Sequence, residues 1–528
     1  MILLRPRSIS RVSTRRRART GTRLVIGLAL LGSVTLPSPA GASGLPECRP
    51  EPGMQGQVPA SDAKKDDGYC LNADILAIHP IQSGTSRGGM ARLGKCVYVG
   101  SDVSTADDGS EGGLAAVDLS NPRRPKVVQV VPGVSAAWDT VHVNAVRKIL
   151  VAKVPTGFQV MSIATRTCRL TPRGTFDISM FGPTPLTGFG TGRLGATLGA
   201  DAIHEFQVSP DGRTVVAGFC GFDLGAVEGT DDDGLIFDIT DLDRPRLIAN
   251  FSPAAMLHKD AAAHDFDFSP DGKRLYIGIS IGYTGGPPRT EHPTWDGVII
   301  TDISAIAARR PGAKPRVISY LPSAGGHTVR YAKIGGHPYL LSNYENDCVM
   351  GVPAYTPAGI VIIDIANERK PRVASNFTLE VNASIENCTA TANDGTFVHA
   401  HFTNVDDRLN TTMLFADWTN SGLRVIDIRN PLRPREIAYA NPVVNKAKAY
   451  SYPTYDAKTR VVTYADSANG LVVVKLNRAA QSRPGRAVYK PAPRDPLTVA
   501  RLQATRPGMT WICSSGVEGP VADHARHH

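Results

Sequence analysis

One unit recurs seven times along the 528-residue chain, and it restricts the fold more than any other feature. Each copy opens with glycine and continues through four or five apolar, often β-branched residues. The copies begin at Gly113, Gly157, Gly234, Gly297, Gly359, Gly422 and Gly470. Successive starts lie 44 to 77 residues apart. Repeats of this length are typical of solenoids, propellers or arrays of small domains.

The residues of the unit predict its local structure. Glycine suits a tight turn into a strand, and a continuous β-branched run suits a strand buried on both faces. In five copies the run ends in an aspartate, whose carboxylate can accept backbone N–H groups of the following turn; these are Asp118, Asp238, Asp302, Asp364 and Asp427. Each is followed by a proline flanked by bases, at Pro125, Pro245, Pro315, Pro371 and Pro434. Proline beside Lys or Arg favours a protected edge strand, and a basic binding rim is the alternative.

Two further strands precede each unit. The segments HEFQVSPDGRTVVAG from His204 and HDFDFSPDGKRLYIG from His264 each contain a Pro-Asp-Gly hairpin turn. The full repeat is therefore four antiparallel strands, and radial repetition of such sheets makes a β-propeller. The last copy lacks an outer strand, and the unpaired segment 73–81 can supply it. We predict an all-β, seven-bladed propeller of four-stranded antiparallel blades, closed by an N-terminal strand.

The unit resembles the LVIVD repeat, which is named for its glycine-led strand. The resemblance covers residues 73–477, and two copies depart from the pattern, with Ser162 and Lys475 in place of the aspartate. It implies a propeller-forming repeat of secreted or cell-surface proteins, and it implies no particular reaction.

The N-terminus predicts export. A basic stretch precedes the apolar run Leu24–Leu36, and small residues Ala40 and Ala42 follow at the spacing of a cleavage site. This is the pattern of a secretory signal peptide, with an uncleaved membrane anchor as the alternative. The predicted organisation is a signal peptide at 1–42, an N-terminal extension at 43–72, the propeller at 73–477 and an extended tail at 478–528. We expect the mature protein to be secreted or extracytoplasmic, in the periplasm or at the cell surface, without a transmembrane span.

The net charge of +10 comes from the two ends of the chain. Residues 43–477 carry 42 Lys and Arg against 45 Asp and Glu. Nucleic-acid binding needs a concentrated basic face, so a nearly neutral body argues against it.

The eight cysteines show no CxxC spacing, which disfavours structural zinc. Disulfides fit an oxidising compartment. The preferred pairs are Cys348 with Cys388, in neighbouring loops of one repeat, and Cys48 with Cys70, at the start of the fold; many other connectivities stay open.

Histidines supply the candidate site. His204, His264, His327 and His401 each lie ten residues before the expected start of a second strand, and His142 occupies a similar place. Innermost strands of a propeller surround its central channel, so these side chains should converge at one mouth. His399 shares the face of His401 because side chains alternate along a strand. We predict that all six line a ligand site.

Two functions compete for this mouth. The first is a secreted binding or interaction propeller, whose partner is an unidentified protein, peptide or small molecule. The second is a metal-dependent enzyme, such as an oxidoreductase, in which His204, His264, His327 and His401 bind a transition metal, since neutral imidazole is its commonest side-chain ligand. Repetition favours a structural role for the histidines, because each copy would hydrogen-bond between blades.

Overall fold

The fold is taken from a computed structural model. It describes residues 69–81, 89–100, 113–134, 140–154, 157–177, 203, 205–218, 234–258, 261–280, 297–322, 324–343, 359–379, 400–442, 451–466, 470–480 and 487. Within these ranges, no helix has the length and apolar character needed to cross a membrane. The predicted signal peptide and most of the predicted tail lie outside the described residues.

The described strands form seven antiparallel sheets, each built from consecutive strands running from the channel outward. Blades one to three comprise β3 (Met90–Leu93), β4 (Cys96–Gly100), β5 (Gly113–Asp118) and β6 (Lys126–Pro132); β7 (Val141–Asn144), β8 (Ile149–Val154), β9 (Gly157–Ala164) and β10 (Arg169–Asp177); and β11 (Glu205–Val208), β12 (Thr214–Gly218), β13 (Gly234–Asp238) and β14 (Arg246–Phe251). The seven-bladed propeller predicted from the repeats is therefore confirmed.

Blades four to seven continue the same order around the ring. They comprise β15 (Ala262–Phe268), β16 (Arg274–Ser280), β17 (Gly297–Asp302) and β18 (Arg316–Pro322); β19 (Thr328–Ile334), β20 (His337–Asn343), β21 (Gly359–Asp364) and β22 (Arg372–Thr378); β23 (Ala400–Val405), β24 (Met413–Trp418), β25 (Gly422–Asp427) and β26 (Arg435–Asn441); and β27 (Thr454–Asp456), β28 (Val461–Asp466) and β29 (Gly470–Leu476). Short helices join some strands, namely α1 (Pro253–Leu257), α2 (Ser304–Ala307) and 3₁₀ turns at Thr419–Ser421 and Arg478–Ala480.

Two N-terminal strands complete blades six and seven. Strand β2 (Ala73–His79) pairs with β29 as the outer strand of blade seven, which confirms the predicted closure. Strand β1 (Tyr69–Leu71) pairs with β26 and gives blade six a fifth strand. Strand β1 was not predicted from the sequence; it lies within the predicted extension at 43–72.

The core lies between neighbouring blades, and this explains the continuous apolar runs. In β13, Leu235 and Phe237 pack in a cluster with blade two, whereas Ile236 packs in a cluster with blade four. Successive side chains of a strand point to opposite faces, so a strand between two blades buries every side chain. Full burial of one such residue contributes about 1.5–3 kcal/mol.

The repeated aspartate closes the turn between third and fourth strands, as predicted. In each of the five copies Oδ1 accepts the backbone N–H two residues later, at distances from 2.7 Å for Asp118 to 3.0 Å for Asp427. Strand register places four of the five aspartates opposite the first residue of the second strand, and Asp364 opposite the third residue, Tyr339. It places Ser162 and Lys475 at the equivalent positions of blades two and seven. The two divergent copies therefore occupy the same structural slot.

One disulfide is defined by described residues. Cys96, at the start of β4, is bonded to Cys168, in the turn between β9 and β10, so the bridge joins blades one and two. The general prediction of disulfides is confirmed by this bridge, although the pairing itself was not foreseen. Cys70 is also disulfide-bonded; Cys48, Cys348 and Cys388 lie outside the described residues, so the two preferred pairings stay predictions.

Candidate functional site

The seven inner strands surround the central channel, which has two different ends. The inner strands begin at one end, here called the strand-start end. The turns between first and second strands lie at the other, here called the hairpin end, together with the turns between third and fourth strands.

Three of the six predicted histidines lie in contact at the strand-start end. The ring centroids of His264 and His327 are 4.4 Å apart, and those of His327 and His401 are 4.5 Å apart. All three are almost fully buried, with 1%, 3% and 1% of their surfaces exposed. Nδ1 of His327 lies 2.9 Å from the carbonyl oxygen of His401. The expected convergence is present for blades four, five and six.

The remaining histidines behave differently or cannot be placed. His204 and His399 lie outside the described residues. His142 is partly exposed, and its ring centroid lies 6.3 Å from that of Tyr452. It is thus part of the channel wall next to Tyr452, which precedes β27 of blade seven. Equivalent positions in the repeat have acquired different surroundings.

The predicted metal site is incomplete in the described part of the chain. Among those residues, no group of three or more His, Cys, Asp or Glu is arranged to hold a metal ion. Because His204 belongs to the predicted ligand set and lies outside the described residues, the metal site stays a prediction.

Carboxylates on β15 tie blade four to blade five. Oδ2 of Asp265 accepts hydrogen bonds from the backbone N–H of Val329 and from Arg330, each at 2.7 Å. Oδ2 of Asp267 accepts the backbone N–H of Tyr331 at 2.6 Å. Backbone N–H groups of an inner strand need hydrogen-bond acceptors. The two aspartates of β15 are the acceptors for Val329 and Tyr331 of β19.

Arg408 extends this network across the channel. It lies in the turn between β23 and β24 of blade six and donates to Oδ1 of Asp267 at 2.7 Å and to the carbonyl oxygen of Phe268 at 2.6 Å. In this blade the second strand begins at Met413, two residues later than the histidine spacing predicted, because Asp406 and Thr412 close a longer turn. That longer turn brings Arg408 over blade four.

A cavity of about 500 Å³ occupies the other side of the channel. It runs from the hairpin end, where Gly94 and Lys458 line it, inward to His142 and Tyr452. Blades one, two and seven supply most of its wall. The guanidinium of Arg330 covers the ring of Tyr452 at 4.1 Å from its centroid and closes the inner end.

The wall of this cavity is mainly cationic. Its charged side chains are Arg92, Arg330, Arg408, Lys458 and Asp456. Arg92 is nearly buried and donates to the carbonyl oxygen of Val461 at 3.0 Å and to Asp456 at 3.2 Å. Burial raises the pKa of Asp456, but hydrogen bonds and the charge of Arg92 outweigh it, so the pKa is lowered and the carboxylate stays ionised. The lining therefore holds four positive charges and one negative charge. Three of the four cations are ion-paired, Arg92 with Asp456, Arg330 with Asp265 and Arg408 with Asp267, the last two carboxylates lying behind the wall.

Sequence reasoning missed every charged residue of this cavity. They come from four different blades at unrelated repeat positions, so no spacing connected them. One signal was available: charged residues alternate in the inner strands of blades four and five, at Asp265, Asp267 and Arg330, where a strand facing only a packed core would be apolar.

Comparison with solved structures finds other propellers. The β-propeller domain of Cps50 (Swd1) from Myceliophteria thermophila is 12% identical, with a TM-score of 0.45 over 76% of this chain and 98% of that chain. The periplasmic gluconolactonase PpgL of Pseudomonas aeruginosa is 13% identical, with a TM-score of 0.41 over 70% of this chain and 88% of that chain. Likenesses this distant say nothing about activity, and the propeller assignment rests on the sheet order described above.

No protein-family model and no curated protein matches this chain. The resemblance to the LVIVD repeat therefore stays a prediction, whereas the propeller fold does not depend on it.

Proposed function

We propose that this protein is an exported binding propeller that holds a small organic anion, bearing carboxylate or phosphate groups, in its central channel. The observation that supports it is the cavity of about 500 Å³ with four cationic side chains and one carboxylate on its wall. Small-molecule sites commonly have volumes of about 300–1,000 Å³. The binding role and the channel are those predicted from the sequence, but the proposed site extends to the hairpin end and not to the strand-start end.

The arginines suit an anion because guanidinium groups match carboxylate and phosphate geometry. Their positions are fixed by the protein: within the described residues Arg408 uses two of its five N–H groups, on Asp267 and Phe268. Arg92 is held by Asp456, Val461 and Gly94. A group held in place before binding loses little conformational freedom when the ligand arrives.

The neutral part of the wall can orient a ligand. Gln207 and Asn404 reach the cavity from blades three and six, and His142, Tyr452 and Thr454 line it on the other side. These side chains present both donors and acceptors. A hydroxylated anion would find partners for its hydroxyl groups as well as for its charge.

Isothermal titration calorimetry at low ionic strength tests the proposal, with citrate and inorganic phosphate as probes and glucose as a neutral comparison. We expect citrate to bind once per chain and glucose not to bind. Arg408→Gln and Lys458→Gln should each weaken citrate binding about tenfold, since a hydrogen bond to a charged group contributes about 1.5–3 kcal/mol.

The control is Arg433→Gln, which removes an exposed charge in the turn before β26, outside the cavity lining. It should leave citrate affinity unchanged. Failure of both anions to bind, or an equal loss of affinity in the control, would overturn the proposal.

A further inference from the structure

The turns between third and fourth strands carry a strong excess of positive charge. In the five copies with the repeated aspartate they span 118–126, 238–246, 302–316, 364–372 and 427–435. Together these turns contain 15 Lys and Arg against 8 Asp and Glu. All of them lie on the face of the propeller at the hairpin end. We call this surface the basic face.

The two signs of charge are placed differently within each turn. Oδ1 of each repeated aspartate accepts a backbone N–H group within its own turn. Among the eight acids of these turns, only Asp241 and Asp243 are exposed. Thirteen of the fifteen bases are exposed. Ion pairs within the described residues hold two of the thirteen, Arg246 to Asp238 and Arg316 to Asp302. The outward sides of four of the five turns are therefore basic, and the turn 238–246 exposes two acids and two bases.

The charge extends around the whole ring. Blade two adds exposed Arg166 and Arg169, and blade seven adds exposed Arg478. Edge protection does not account for all of this positive charge. In blade six, β1 already covers part of the outer strand β26, yet Arg433 and Arg435 are still present at the start of that strand. The remaining function for such a surface is contact with a polyanion.

We propose that the basic face docks on a membrane surface containing anionic phospholipids. A protein partner of ordinary size covers about 800 Å², and a linear polyanion follows a groove or stripe. Bases contributed by all seven blades can engage together only with a plane. Lysine and arginine near an anionic bilayer attract it additively within a Debye length.

Apolar residues at the same face favour a membrane over a soluble polyanion. Val146 and Leu409, in hairpin turns of blades two and six, are 75% and 59% exposed. Exposed apolar side chains among bases can enter the boundary between headgroups and acyl chains. This inference goes beyond ligand binding in the channel and does not depend on it.

Vesicle co-sedimentation tests the docking, with vesicles of equal phosphatidylglycerol and phosphatidylcholine compared with phosphatidylcholine alone. We expect binding to the anionic vesicles only, and at least a tenfold loss of it between 50 and 500 mM salt, on the order expected for screened surface charges. The fourfold variant R369Q/K370Q/R433Q/R435Q should bind at least tenfold more weakly. Its matched control, R369K/R433K/R435K, keeps the charge and should bind like the unmodified protein.

Two further measurements separate the alternatives. Arg408→Gln, which should bind citrate about tenfold more weakly, should keep its vesicle binding, so the two proposals can fail independently. Equal binding to both vesicle types would overturn the docking proposal. Tighter binding to poly-glutamate than to anionic vesicles would also overturn it and would indicate an acidic protein partner.

Discussion

The inner strands of blades four, five and six form a packed half of the channel, whereas those of blades seven, one and two form an open half. In the packed half, imidazole rings touch and Asp265 and Asp267 bridge neighbouring strands. In the open half, the strands supply most of the wall of a cavity of about 500 Å³, which Arg330 and Arg408 from the packed half complete. The same repeat therefore builds a closely packed wall on one side and a cavity on the other.

Histidine shows how the difference arises. His264 and His142 occupy similar places in their repeats, yet the first is buried against another imidazole and the second lines the cavity. The surroundings differ: the ring of His264 contacts that of His327 in the neighbouring blade, whereas the ring centroid of His142 lies 6.3 Å from that of Tyr452, which precedes β27 of blade seven. A repeated residue type is thus a poor guide to a shared role.

Both halves have side-chain hydrogen bonds between blades, and the open half also has a covalent link. Asp265 and Arg330 join blades four and five, and Arg92 joins blade one to Asp456 and Val461 of blade seven. A disulfide between Cys96 and Cys168 joins blades one and two.

The largest effect should come from removing that link. The double variant C96A/C168A should lower the free energy of unfolding by about 4 kcal/mol, by the loop-entropy estimate for its sequence separation of 72. Urea denaturation would measure the loss. A change below about 1 kcal/mol would mean that the open half is packed as firmly as the other half.

Asp265→Asn should have the next largest effect, in the packed half. It removes a fully buried carboxylate from the nearly buried guanidinium of Arg330. Breaking such a pair typically costs about 3–5 kcal/mol, and we expect about 3 because asparagine can still accept the N–H of Val329. The same denaturation experiment would measure it.

The comparison for that variant is His142→Ala in the open half. It should cost less than about 1 kcal/mol, because the side chain already faces a cavity. Similar losses for the two variants would contradict the division into halves.

The smallest effect concerns Asp417, on β24 where blade six meets blade seven. Burial raises its pKa well above the usual value, and nearby Asp466 adds to this, although Ser451 donates to Oδ2 at 2.9 Å and 3.1 Å. A raised pKa in the folded state stabilises the fold fully below the ordinary pKa, and that contribution is lost as the pH rises through the folded value. Asp417→Asn mimics the protonated form and should raise stability by about 1 kcal/mol at pH 8, and less at pH 5.

Thermal melts between pH 5 and pH 8 would show this pattern. Asp74→Asn, at an exposed carboxylate on β2, is the matched control for the change of side chain. A lower melting temperature for Asp417→Asn at pH 8 would instead indicate that the ionised carboxylate is required at the junction.

The repeat allowed most of the fold to be predicted. Glycine, the apolar run, aspartate and proline recur at fixed spacing, and each element has a local physical cause. Strand β1 could not be predicted in the same way, because Tyr69–Leu71 is short and its pairing with β26 depends on where the ring brings the chain.

The candidate site was harder to predict than the fold. Spacing along the repeat indicated that the histidines share one end of the channel, which holds for His264, His327 and His401. The spacing could not indicate that Arg92 and Arg408 line the same cavity, since their positions depend on ring closure and on one lengthened turn. Contacts made once, between distant blades, leave no repeated pattern.

The closing strands also determine when the molecule can become complete. Asn72, between β1 and β2, donates to the carbonyl oxygen of Ile437, a residue 365 positions later. At about 5–20 residues per second, synthesis separates the two by tens of seconds. Throughout that interval β1 and β2 lack their partner strands β26 and β29. Unpaired strands readily join other chains. A cell that makes this protein must therefore keep its earliest segment from pairing elsewhere until the last blade emerges.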